Sequence, residues 1–182
     1  STAQIYTEQI SGKVDKINSG SLELVSLAAS SQNYYTSSPL GRYLTQQDIL
    51  TRLQDRIRYV ESSDLYFFYR TDSDELLTAL SNRPSTGSSY FWNQYLMLPP
   101  TQPANTWFSV TCNGETWLMC YYNVSQVRVG AAVRAKTLLQ SLYADTGLVQ
   151  DSGFALAGLD GTIVYSSQPD LMACGTNLAG HI

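Results

Sequence analysis

The side chains best suited to chemistry in this chain are arginines and hydroxyl- or indole-bearing aromatics between positions 66 and 121. Tyr66 and Arg70 belong to the aromatic run Leu65-Tyr66-Phe67-Phe68-Tyr69-Arg70. Arg83 opens a loop-rich stretch that also holds Tyr90, Trp92 and Tyr95, and Tyr121 lies in a later strand-like segment. Tyr and Trp combine broad apolar surface with one hydrogen-bonding atom, as a pocket for a small polar molecule requires. An arginine can hold a carboxylate through two parallel N–H···O bonds. Tyr66, Arg70, Arg83, Tyr90, Trp92 and Tyr121 are therefore the candidate ligand-binding residues. A plainer reading stays open for each: the aromatics can fill a core, and the arginines can form surface ion pairs of little energetic weight.

Catalysis has far less support. The chain has no G-x-S-x-G, no phosphate-cradling glycine loop and no Cys/His spacing suited to a metal. Asp72, Asp74 and Glu75 could pair for acid–base work, but the context T-D-S-D-E reads as a solvated turn. His181 stands without a carboxylate or cysteine cluster beside it in sequence. Cys112 and Cys120 flank Asn113-Gly114, the dipeptide of a two-residue hairpin turn. That turn puts Cys112 opposite Glu115 and Cys120 opposite Trp107, and parity then sends the thiols to opposite faces. A disulfide between them is not expected, and the thiols read as small buried hydrophobes. Asn123-Val124-Ser125 matches a glycosylation sequon, a weak signal. No catalytic residue, metal ligand or cofactor is expected, and the chain reads as a non-enzyme.

Composition points the same way. Lys+Arg 11 and Asp+Glu 15 make 14% of 182 residues, well below the ordinary ~25%. Only Lys13, Lys16 and Lys136 are lysines, and the net charge is −4, so a nucleic-acid partner is not expected. The aromatic content argues against disorder, and no apolar run approaches the ~18 residues of a membrane span. Charge crowds between Asp48 and Glu75, and only eight charged residues follow Ser85. The later elements are thus built from Tyr, Trp and hydroxyls.

The elements that must position these groups follow from periodicity. Ile5, Ile10, Val14, Ile17, Leu24, Val25 and Ala28 form one stripe of a long helix, weakened at Gly12 and Ser19-Gly20. Its abrupt start reads as a cut, with a segment upstream. Positions 30–41 read as a polar connector broken by Pro39 and Gly41, after which Thr45 is the expected N-cap of a second helix. From Asp64 the pattern becomes strand-like. Two short strands, the insert 82–106, a hairpin about Asn113-Gly114, a strand near 126–133, a helix and a final Asp160-Gly161 hairpin complete the chain. Antiparallel strands with helices gathered on one side predict an α+β domain. The expected divisions are 1–62 (helical), 63–134 (sheet with insert) and 135–182 (helix and hairpin).

Val129-Gly130 running into Leu138, Leu139 and Leu142, then Gly153-Phe154-Ala155-Leu156, Leu159-Asp160-Gly161-Thr162-Ile163-Val164-Tyr165-Ser166 and Gly175-Thr176-Asn177-Leu178, resemble a known family. This is the Cache-type, PAS-like extracytoplasmic sensor domain of bacterial transmembrane receptors, particularly sensor histidine kinases. The resemblance implies a PAS-like sheet behind a long N-terminal helix, in a periplasmic or extracellular domain held between membrane helices outside this chain. It also implies a small ligand on the sheet's concave face under the insert, with signalling through the first helix to an output module elsewhere. Arg83, Tyr90, Trp92 and Tyr95 have the residue types of the family's amino-acid-binding branch but not its spacing. The ligand class therefore stays open among amino acids, carboxylates and sugars. The chain stops soon after the D-G hairpin, so 135–182 is either the start of a truncated membrane-proximal module or part of a single-module variant. Two alternatives remain: a chemoreceptor sensor domain, or a ligand-independent module that forms a homodimer through the stripe Ile5, Ile10, Val14 and Ile17.

Overall fold

The computed structural model describes residues 2–30, 38–59, 63–81, 87–146, 155–158 and 160–181. Helix α1 is Thr2–Ser30 and α2 is Pro39–Tyr59. Strands β1 (Leu65–Arg70) and β2 (Glu75–Leu80) precede the short α3 (Ser88–Tyr95). Then come β3 (Phe108–Cys112), β4 (Glu115–Val124), β5 (Val127–Arg134), α4 (Ala135–Thr146), β6 (Ala155–Ala157) and β7 (Ile163–Ser166).

The second helix starts earlier than expected. Pro39 opens it rather than breaking the chain, because proline's fixed φ suits the first helical position and its missing N–H is not needed there. Ser38 is the cap: its Oγ accepts the Gly41 N–H at 3.2 Å. Thr45, the expected cap, lies inside the helix and donates its hydroxyl to the Gly41 carbonyl at 3.0 Å. Arg56 and Arg58 in the last turn complement the helix dipole.

β1 to β5 form one antiparallel sheet in the order β2-β1-β5-β4-β3, so the last strand returns beside the first. All six residues of β1 are buried, as expected of a strand covered on both faces. On one face Tyr66, Phe68, Leu118, Val129, Ala131 and Val133 pack with Ile17, Leu24 and Ala28 of α1 and Ile49 and Leu53 of α2. On the other, Leu65, Phe67, Trp117, Met119 and Tyr121 pack beneath Trp92 and Leu96. The α+β class is as expected, and the insert contributes α3 to the face opposite α1 and α2. Ile17 is fully buried in this chain's own core, with Ile10 packed against it, so that part of the α1 stripe faces inward. Leu138 of α4 and Leu156, Val164 and Tyr165 of β6 and β7 join the same core.

Both turns read from sequence form. Asn113 (φ 51) and Gly114 (φ 76) are left-handed, as a type I′ hairpin turn needs. Cys112 pairs with Glu115 as expected and lies on the insert face, while Cys120 pairs with Ala131 on the helix face. Both thiols are free and buried, and burial pushes their pKa up. In the β6–β7 turn, Asp160 accepts from the Thr162 N–H and hydroxyl, both at 3.0 Å. Asn177 reaches back to donate to the Asp160 carbonyl at 2.9 Å, which ties the G-T-N-L segment to the D-G turn.

Gly20, which weakens α1 by propensity, has a packing role. A Cβ there would collide with the Tyr66 hydroxyl and lie 2.8 Å from ring atom Cζ. Tyr66 is thus seated under α1, with its hydroxyl 3.4 Å from the Ile17 carbonyl. Burial pushes its pKa up to about 12. The folded phenol holds its proton to about that pH, whereas the unfolded one releases it near 10. Stability is therefore unaffected by this group below pH 10 and falls as pH rises from about 10 to 12, by about 2–3 kcal/mol. We expect Tyr66→Phe to remove this component: the variant's urea midpoint should rise relative to that of wild type between about pH 9 and about pH 11.5. Parallel curves across that window would contradict it.

Candidate functional site

After α3 the chain crosses the sheet over β4 and β5, first prolonging the helix through local main-chain bonds and then tied to β4 at Tyr121. The Leu96 N–H donates to the Trp92 carbonyl at 3.0 Å and the Leu98 N–H to the Tyr95 carbonyl at 3.2 Å. Further along, the Asn105 N–H donates to the Tyr121 carbonyl at 2.9 Å, and the Tyr121 hydroxyl donates to the Gln102 carbonyl. Asn105 has φ 63, a left-handed bend that turns the chain back toward β3.

A cleft of about 100 Å³ remains between this strap and the sheet, lined by Tyr95, Leu98, Pro99, Pro100, Met119, Tyr121 and Arg128, among others. Its cation is Arg128, which pairs with Tyr69 across β1 and with Asn123 across β4. The guanidinium carbon lies 5.6 Å from the Tyr69 ring centre and 5.7 Å from that of Tyr121. At such distances each ring face attracts the cation. Nη1 donates to the Leu96 and Leu98 carbonyls at 3.4 and 3.2 Å. Nε is buried and has no acceptor among the described residues. Beside it, Tyr69 donates its hydroxyl to Asp74 Oδ1 at 2.7 Å, and that bond is the main cause of its raised pKa. Burial, with Tyr121 alongside, raises the pKa of Tyr95.

The six residues chosen from sequence are dispersed. Tyr121 lines the cleft. Trp92 lies behind it, 0% exposed, with its ring 5.1 Å from that of Trp117. Tyr90 is 75% exposed on α3. Tyr66 packs under α1 on the opposite sheet face. Arg70 is 7% exposed and grips Asp72 through Nε and Nη2 at 3.1 and 2.9 Å, which lowers the Asp72 pKa. Arg83 lies outside the described residues. Sequence reasoning missed Arg128, although a signal was present: in Gln126-Val127-Arg128-Val129 it alternates with valines of the helix face.

A second, larger groove of about 850 Å³ lies between α2, β2 and the start of α4, near Asp64, Ser81 and Arg134. Two of its polar side chains, Asp64 and Ser81, help to hold the strands together. Asp64 Oδ2 accepts the Arg134 N–H at 2.8 Å and Oδ1 accepts the Ser81 hydroxyl at 3.3 Å. The Arg134 guanidinium carbon lies 5.1 Å from the Trp117 ring centre. Among the described residues no three potential metal ligands converge, and no helix is long and apolar enough to cross a membrane.

No protein-family description matches the chain, and no curated protein matches it. Among solved structures, the periplasmic domain of RsbU from Chlamydia trachomatis is similar at 14% identity and a TM-score of 0.32. That match covers 92% of this chain and 67% of the other.

Proposed function

We propose that this chain is the extracytoplasmic small-ligand sensing domain of a membrane-bound bacterial receptor, of the two-component histidine kinase kind. The observation that carries this reading is the cleft at Arg128, an apolar recess with one cation and tyrosine hydroxyls near it. Small-molecule sites have that character. The β2-β1-β5-β4-β3 order behind a long first helix fits the PAS-like arrangement that the sequence resemblance implies.

The same sheet supports a route for the signal. Strap and α1 lie on opposite faces of β4 and β5, with Tyr121 and Met119 under the strap and Leu118, Val129 and Ala131 under α1. A ligand that prefers one placement of the strap shifts the population toward it, and the strands carry the change to α1.

Thermal unfolding with separate amino acids, carboxylates and sugars tests this reading. A true ligand at about 100 times its Kd adds about 2.7 kcal/mol, raising Tm by about 5–10 °C for a domain of this size. No shift with any compound would contradict it.

A further inference from the structure

Given the sensing function proposed above, we infer that the cleft takes a small carboxylate, held by Arg128. Three observations carry this. First, Arg128 brings a full positive charge to the cleft, and among the described residues no carboxylate pairs with it. Half-buried and with no carboxylate paired to it among the described residues, Arg128 attracts an incoming anion more strongly than a fully solvated arginine would.

Second, the guanidinium is divided in its bonding. Nη1 donates to the Leu96 and Leu98 carbonyls, while Nε is buried with no acceptor. Nε and Nη2 together form the side-on fork that matches the two oxygens of a carboxylate. A buried donor without an acceptor costs about 1–3 kcal/mol, a cost that a ligand oxygen would relieve. The Tyr69 and Tyr121 rings flank the fork and restrict its swing.

Third, size and lining set the rest of the ligand. About 100 Å³ equals roughly three waters at ~30 Å³ each, space for a carboxylate of on the order of two to four carbons. Leu98, Pro99, Pro100 and Met119 suit a short apolar tail. An ammonium group would meet a cation and no carboxylate, which disfavours a free amino acid. Because Nε is buried, an anion reaches it only as the guanidinium shifts, and Nη1 ties that guanidinium to the Leu96 and Leu98 carbonyls of the strap. Binding is thereby linked to the position of the strap.

The test uses sodium propionate, with propionamide as its neutral isostere and sodium chloride at matched ionic strength. Binding is read from Tm and from the Arg128 Nε–Hε resonance. We expect propionate to shift that resonance saturably and raise Tm, and propionamide and chloride to do neither. Arg128→Gln should weaken propionate binding at least tenfold. Arg128→Lys, which keeps the charge and loses the fork, should fall between. Equal binding of propionamide, or unchanged propionate binding in folded Arg128→Gln, overturns the carboxylate inference. If a sugar or amino acid raises Tm while propionate and its homologues do not, the inference falls and the sensing function stands. If no compound of any class binds, both fall.

Discussion

Gly130→Ala lowers the stability of this domain by at least about 2 kcal/mol, and Tm by about 4–8 °C. Gly130 sits in β5 between two paired strands, opposite Phe67 on β1 and Tyr121 on β4. A Cβ there would collide with the Cys120 carbonyl oxygen and lie 2.8 and 2.9 Å from Phe67 ring atoms Cε1 and Cζ. The carbonyl belongs to a hydrogen-bonded ladder and cannot withdraw without loosening β4. The usual gain from replacing glycine, about 0.5–1 kcal/mol of backbone entropy, is too small to offset this. Gly12→Ala is the matched control, because a Cβ at Gly12 meets nothing within 4 Å and lies in a helix. It should raise stability by up to about 1 kcal/mol. Urea unfolding of the two variants beside wild type checks the contrast, and equal effects would contradict it.

Trp92→Ala should cost about 3–5 kcal/mol, enough to lower Tm by about 10 °C. Trp92 is the pin by which α3 holds the strap to the sheet. Its fully buried ring meets Trp117 at 5.1 Å, Phe91 at 5.3 Å and Tyr95 at 5.7 Å. Removing it leaves a cavity beneath the segment that covers the cleft. Trp92→Phe should cost much less, within about 2 kcal/mol, because the indole N–H it deletes has no acceptor among the described residues. The pair separates packing from polarity: near-equal losses for Ala and Phe would mean that the indole nitrogen matters in a way the geometry does not support. Ligand-induced Tm shifts should survive in Trp92→Phe and shrink in Trp92→Ala.

Local signals were legible where a few neighbouring residues decide the outcome. Asn113-Gly114 announces its turn because both positions need positive φ, and the opposite-face placement of Cys112 and Cys120 follows from the pleat alone. The start of α2 is not legible from Pro39, because proline that would break a helix interior is compatible with the first helical position. The faces of β1 were not legible. Leu65-Tyr66-Phe67-Phe68-Tyr69-Arg70 has no apolar–polar alternation, since both faces are covered, so nothing local separates Tyr66 from Tyr69. Yet Tyr66 faces α1 and Tyr69 faces Arg128.

The cleft was hidden for a different reason. Two of its ties to the strap end on main-chain carbonyls, those of Leu96 and Leu98, which any residue type can supply. Residue types alone therefore pointed to the exposed Tyr90 and the ion-paired Arg70 as readily as to Arg128. The excess of tyrosine and tryptophan over charge marked the correct region, and register decided which side chains meet there.

Amide hydrogen exchange, with and without the compound that raises Tm most, tests the central claim that a small molecule binds between strap and sheet. Binding should slow exchange across positions 95–105 and at Met119, Tyr121 and Arg128, with a smaller change in α1 around Ile17–Leu24. Protection confined to the Asp64 and Ser81 groove, or no change under the strap, would contradict the account.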